Sequence, residues 1–466
     1  MAEWRAVRPL RHRDYRLLWI GLAVALIGSG LWLVALAWQV IELGGGPIQL
    51  SIVTTAYSVG LVTCVLFGGI AADRLPQRTV IVAADVVRGV VLLGVATLAF
   101  LDVLTIWQLA AGALIIGAGE AFLIPAYTAL VPRLLPEDEL LAANGLEGTL
   151  RPLAQQATGP ALGGIAVATL SPGVAILVAG LTYLFSAACV LAMQVRPAPA
   201  VAPSEHQHSG VKAIVADFRE GWTYVRKTRW LLASLLFGMV FVLFILGPIE
   251  VLLPFAIRDQ TGGGAGAYGF VLAVFGISGA IGALLISSRR LPRRYLTVMT
   301  LMWGLGSAPF VLLGIAGEVW QMALGAAIVG ATGSAGMVIW GTLLQRRVPD
   351  HLRGRISSLD FFVSLLLMPV SMALAGPAAS LFGVTAVFIA AGIGPVIACL
   401  VAVWLGRMPS DELANPLDTA PGDTAPGDAA TGDAVTDTVD VAAGAEGQVG
   451  IGAAGPEVEA AVSEVR

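Results

Sequence analysis

Charge is scarce in this chain. Asp, Glu, Lys and Arg make up 12% of its 466 residues, about half the share of an average soluble domain. Lysine is nearly absent, with Lys212 and Lys227 alone. The shortage excludes an ordinary water-soluble globule, and no basic face is left over to hold nucleic acid. Cysteine is just as thin. Cys64, Cys189 and Cys399 lie far apart inside apolar runs, so neither a disulfide framework nor a metal-ligand spacing exists, and the thiols are expected to pack as small apolar groups. The four histidines (His12, His206, His208, His351) fall in polar segments. His206 and His208 alone make a poor metal site, so no metal and no cofactor is expected. No Walker-type phosphate loop occurs, which speaks against ATP as energy source. No nucleophile stands beside a base in the runs, so an enzyme is not expected.

Apolar residues are abundant instead, at 57%. They gather into runs of about 20, the length a helix needs to cross a hydrocarbon core. Backbone groups in lipid must bond internally, so such runs are helices. Twelve are expected, over residues 15–42, 49–72, 79–101, 105–131, 143–170, 173–195, 230–257, 266–288, 295–316, 319–345, 357–381 and 384–405. The length of the first run, and the lack of a small-residue cleavage site after it, argue against a removed signal peptide.

Arginine alternates between connectors. Arg5, Arg8, Arg11, Arg13 and Arg16 precede the first span, Arg74 and Arg78 follow the second, and Arg133 follows the fourth. Arg289, Arg290, Arg293 and Arg294 follow the eighth span, and Arg346, Arg347, Arg353 and Arg355 follow the tenth, whereas connectors of opposite parity hold only Arg258. Basic loops stay in the cytoplasm, so both termini are expected there, in a multi-pass protein of the cell's inner membrane.

The basic punctuation also repeats. Leu75-Pro76 with Arg74 and Arg78 matches Leu291-Pro292 with Arg290 and Arg294, 216 positions on. Residues 115–136 align with 328–349 at a shift of 213, pairing Gly117 with Gly330 and Pro136 with Pro349. The chain therefore divides into a six-helix bundle over 1–195, a linker over 196–229, a second bundle over 230–406 and a tail over 407–466. Two six-helix units of equal topology are parallel repeats about an axis along the membrane normal. Within the linker, Val211, Ile214, Val215, Phe218, Trp222 and Val225 fall at helical spacing among basic residues, as in an amphipathic helix on the inner membrane surface. The tail holds 12 acidic groups beyond residue 410 against Arg466 alone, with too little apolar surface to fold, and is expected to be disordered.

The loop GGIAADRLPQR, residues 68–78, resembles the signature between the second and third helices of the major facilitator superfamily. Gly69, Asp73, Arg74 and Arg78 match it; Pro76 and Gln77 depart from it. DYRLLW (14–19), LVPRLLPEDELLAANGL (130–146) and RGRISSL (353–359) resemble the enterobactin-exporter and macrolide-efflux branch. The resemblance implies an all-α membrane fold of two pseudo-symmetric six-helix bundles. It also implies that Gly69, Asp73, Arg74 and Arg78 form a cytoplasmic latch, against the plainer reading that the arginines only fix topology. ATGPALGGIA (157–166), with Gly159, Pro160, Gly163 and Gly164, resembles the antiporter motif of superfamily exporters, although Gln155 stands where that motif has glycine. A closely packed, kinked helix is the alternative.

Charges inside the spans are costly and point to function. Asp85 and Arg88 lie one turn apart and are placed to pair. At ~1.5 Å per residue, Arg88, Glu120 and Arg151 reach similar depth, with Glu147 shallower. Asp85, Arg88, Glu147 and Arg151 are read either as a static lock or as part of coupling. Glu120 is a candidate for carrying protons or binding cationic substrate, and Gly333 takes its place in the second repeat. Glu250, beside Gly247-Pro248 and toward the outer side, is a substrate candidate. Asp360 is expected to pair with the arginines at 353–355. Trp32, Trp38, Phe122, Trp303 and Trp340 suit an apolar cavity or plain packing. Together these features predict a monomeric, proton-coupled exporter of amphipathic small molecules, working by alternating access in the lipid bilayer. An importer or lipid flippase on the same scaffold, and a receptor or scaffold acting through the acidic tail, are the alternatives.

Overall fold

The computed structural model describes residues 5–194 and 211–417. The start of the linker and nearly all of the acidic tail lie outside the described residues. A short 3-10 turn, Arg5–Arg11, leads into α1 (Arg13–Glu42), α2 (Pro47–Arg74), α3 (Gln77–Phe100) and α4 (Ile106–Leu134). Then come α5 (Leu140–Arg151), α6 (Gly159–Thr169) and α7 (Pro172–Leu191). After α8 (Val211–Lys227), the second half runs α9 (Arg229–Gly247), α10 (Leu253–Thr261), α11 (Ala265–Ser287), α12 (Tyr295–Gly304) and α13 (Phe310–Ile315). It ends with α14 (Val319–Arg347), α15 (Asp350–Leu366), α16 (Met368–Phe382), α17 (Val384–Leu405) and α18 (Met408–Ala414).

Paired end to end, α5 with α6, α9 with α10, α12 with α13 and α15 with α16 each make one crossing. The described chain thus crosses twelve times, in two bundles of six. Eleven crossings contain a helical stretch long and apolar enough to span a membrane. The other, α5–α6, is split by a π-helical turn at Pro152–Thr158, and a second π turn at Pro248–Leu252 lies between α9 and α10. Both open on proline, which has no N–H to give the helical ladder. Sequence periodicity predicts both spans as unbroken helices, because a turn widened by one residue leaves the apolar count unchanged.

Local chemistry fixes several ends. Thr105 caps α4: its Oγ1 accepts from the Gln108 amide at 3.4 Å, while Gln108 Oε1 accepts from the Thr105 amide at 2.8 Å, the reciprocal box that satisfies two open donors. The repeat shows in the packing. A Cβ on Gly117 would lie 2.0 Å from the Tyr57 carbonyl oxygen, and one on Gly330 would lie 2.2 Å from that of Phe275. Glycine at both equivalent positions lets α4 touch α2, and α14 touch α11, backbone to backbone.

At the arginine-rich end one expectation is extended and another is corrected. The helix α8 is more than a surface float: Val225 is fully buried, and Glu220 takes an ion pair from Arg355 of α15 at 2.6 Å. The region from 407 is also ordered up to residue 417. Glu412, 1% exposed, accepts from the backbone amides of Leu296 and Thr297 at 2.9 and 3.1 Å and from Thr297 Oγ1 at 2.8 Å. Asp411 pairs with Arg347 at 2.8 Å. A carboxylate on a helix N-terminus meets both its open donors and its dipole, so an acidic segment folds where composition alone predicts none. Truncation after residue 406 is expected to lower the Tm of the purified protein, and truncation after residue 417 to leave it unchanged. Equal losses would contradict the docking role of α18.

Candidate functional site: a central cavity and its buried ion network

Four helices of the first half build a polar network in an apolar bundle. From α3, Arg88 (2% exposed) bonds Asp85 one turn back, and Asp85 also accepts from Ser186 Oγ of α7 at 2.7 Å. The Arg88 guanidinium lies 4.2 Å above the ring centroid of Tyr183. Its Nη1 reaches to 3.8 Å from Glu120 Oε2 of α4, and Tyr57 of α2 donates to the same oxygen at 3.0 Å. Gly119 makes room, since a Cβ there would meet Arg88 Cγ at 2.8 Å. A buried guanidinium with two carboxylates and an aromatic face within reach is paired as a buried charge must be. Arg88→Ala strands Asp85 and Glu120 and is expected to cost about 3–5 kcal/mol, read as lost yield or Tm. The joint change Asp85→Asn with Arg88→Gln is expected to cost less.

The network opens onto a cavity of about 340 Å³ between the two halves. The first half gives Trp32, Tyr57, Glu120 and Gln155; the second gives Glu250, Phe275 and Met372. Glu250 makes no hydrogen bond or ion pair among the described residues. Two carboxylates from opposite halves therefore face one apolar, aromatic chamber. Glu250 lines the central chamber, so the second half supplies a charge there although Gly333 replaces the Glu120 equivalent. The carbonyl of Gly333 accepts from Trp303 Nε1 at 3.0 Å, and Trp303 joins Phe237, Phe241 and Trp340 in an aromatic cluster. At the corresponding depth the second half is aromatic where the first is ionic.

On the side away from the arginine-rich loops, the halves meet tightly. Ser51 Oγ of α2 accepts from the Gly376 amide of α16 at 2.7 Å, and Trp38 of α1 stacks on Tyr268 of α11 at 5.6 Å. Gly164 of α6 faces α11: its Cβ would stand 2.8 Å from the Ala265 carbonyl oxygen and 3.1 Å from Gly269 Cα. Gly159 and Gly163 instead face α1, against Ile27, Gly30 and Leu31, while Pro160 lines the cavity. The GPALGG stretch thus ties α6 to its own half by two glycines and to the other half by a third. Gln155, the departure from the motif, lies on the π turn, lines the cavity and donates to Ser29 Oγ at 3.3 Å.

The remaining predicted residues scatter. Arg78 donates to the Val190 and Leu191 carbonyls at the end of α7, inside its own half, and Arg74 is exposed. Gly69 has open space where a Cβ would stand, and the Asp73 side chain lies outside the described residues. Glu147 and Arg151, one turn apart on α5, stand outside the group formed by Asp85, Arg88, Glu120 and Tyr57. Asp360 accepts from Trp340 Nε1 at 2.9 Å rather than from the arginines at 353–355. Position 355 lies on another helix face, its guanidinium on Glu220, and position 353 is two turns away. Sequence reasoning misses Tyr57, Ser186 and Glu139. Glu139, buried, holds Arg8 and His12 of the N-terminal arm at 3.0 Å each, a contact across 127 residues that no local spacing signals.

A chamber enclosed by two equal six-helix bundles, sealed at one end and lined by intramembrane carboxylates, defines a transporter. The sequence matches the family described as transmembrane secretion effector over residues 5–427, and the chain belongs to that family, within the major facilitator superfamily. It is 28% identical over 408 residues to the multidrug efflux pump Tap of Mycobacterium tuberculosis (strain ATCC 25618 / H37Rv), covering 85% of this chain and 94% of the pump. It is 24% identical over 395 residues to macrolide efflux protein A of Streptococcus pyogenes, covering 83% and 94%. The fold is similar to that of a point mutant of the nucleoside transporter NupG, with a TM-score of 0.68 at 11% identity over 84% of this chain and 99% of that chain.

Proposed function

We propose that the protein exports amphipathic, drug-like small molecules across the inner membrane, exchanging them for protons by alternating access. The observation that carries this reading is the chamber itself. Aromatic and aliphatic walls from both halves surround Glu120 and Glu250, a lining suited to an apolar body with a cationic group. Efflux by the relatives named above supports the outward direction. Arginine-rich loops belong on the cytoplasmic side, so the sealed end is the outer one and the structure is the cytoplasm-facing state. Arg78 anchors α3 to α7 within the first half. Gly69, Asp73 and Arg74, at the open end, are left to latch that side when the halves rock shut.

Everted membrane vesicles test the reading. A macrolide or a fluorescent cationic drug is expected to accumulate inside when the lumen is acid, and to leak out when nigericin collapses the gradient. Accumulation that ignores the gradient, or that occurs only in right-side-out vesicles, would reject proton-driven export and favour an importer or flippase.

A further inference from the structure

A second concave site, of about 640 Å³, lies away from the chamber, where α9 begins and α17 ends, beside α18. Arg229 and Arg407 both line it, both are exposed, and neither has a hydrogen-bond or ion-pair partner from its side chain among the described residues. Trp404, 77% exposed, stands at the last turn of α17 with Leu400 and Leu405 beside it. The nearest carboxylates on α18 are already engaged: Asp411 by Arg347, and Glu412 by the start of α12. Arg407 is held in the left-handed backbone region (φ 48, ψ 38), a conformation unfavourable for a non-glycine residue. The docked α18 maintains it, and Met408, the next residue, is fully buried.

The geometry points to this pocket as a binding site for an anionic phospholipid. Two guanidiniums with no partner among the described residues recognise a phosphodiester headgroup. Trp404 sits where indole rings mark the membrane boundary, and the leucines behind it accept acyl chain. Basic pockets between membrane helices at this level bind anionic headgroups. The occupant would link the first helix of the second half to its last, through charges that take no part in the central chamber. The site rests on the membrane placement of the fold and not on transport direction.

Delipidated full-length protein titrated with phosphatidylglycerol, phosphatidylcholine or inorganic phosphate, with bound molecules counted by native mass spectrometry, tests the site. Phosphatidylglycerol is expected to bind several-fold more tightly than phosphatidylcholine. Each arginine contributes roughly fivefold, so Arg229→Gln is expected to lose part of the preference and Arg229→Gln with Arg407→Gly nearly all. Glycine accepts the positive φ, so the backbone at 407 is preserved. Arg229→Gln alone alters an exposed side chain and keeps the test standing should the double variant misfold. Equal binding of the two lipids, a preference unchanged by the variants, or displacement of lipid by millimolar phosphate would overturn the assignment.

Discussion

Glu120→Gln is expected to leave the protein folded and inserted while efflux driven by a proton gradient falls by roughly 10- to 150-fold. That range follows from losing the carboxylate's charge, and with it the coupling of proton to substrate, worth about 1.5–3 kcal/mol. The substitution keeps the shape of the side chain and its acceptor for the Tyr57 hydroxyl, 3.0 Å away. Arg88 keeps its bond to Asp85, so no buried charge is stranded. What disappears is the charge at the chamber wall, and with it any exchange of a proton for a cation. Glu250→Gln is expected to act similarly from the other half, with less effect on stability because Glu250 has no partner to lose among the described residues. Measuring drug accumulation in everted vesicles at several imposed pH gradients decides the matter. Undiminished, gradient-dependent efflux in Glu120→Gln would remove this carboxylate from the mechanism.

The second large effect is expected at the outer seam. A methyl group on Gly269 would lie 2.4 Å from the Pro160 carbonyl oxygen and 2.9 Å from Gly164 Cα. Both neighbours are backbone, so the clash cannot be relieved by a rotamer. Overpacking of this kind costs about 1–3 kcal/mol, enough to shift a two-state equilibrium by roughly 5- to 150-fold. Gly269→Ala is therefore expected to populate outward-open molecules and slow efflux, with membrane insertion normal. Labelling of Tyr268→Cys by an impermeant maleimide reads the shift: faster labelling in Gly269→Ala is expected, and an unchanged rate would show that the seam tolerates the extra carbon.

Much of this architecture is legible before any coordinates. The apolar runs and the alternation of arginine specify twelve crossings, and the repeat of Gly117 at Gly330 carries the same close approach into both halves. Asp85 and Arg88 are readable as partners because i and i+3 share a helix face. Pairing across helices is not readable that way. Glu120 meets Tyr57 only because α2 and α4 touch at Gly117, and nothing in the spacing of 63 residues announces it. That Glu250 faces the chamber is not readable either, because the π turn at Pro248–Leu252 changes the facing of the residues in it. The fold of α18 escapes composition for a different reason: one buried carboxylate on the end of α12 outweighs the polar character of seven residues.

A lock on the outer seam addresses the central claim most directly. With Cys64, Cys189 and Cys399 replaced, Trp38→Cys and Tyr268→Cys put two thiols where the stacked rings join the halves, 5.6 Å between centroids. A short, reducible bifunctional crosslinker is expected to stop drug accumulation in everted vesicles, and a reducing agent to restore it. Full transport with that bridge in place would contradict alternating access around the chamber.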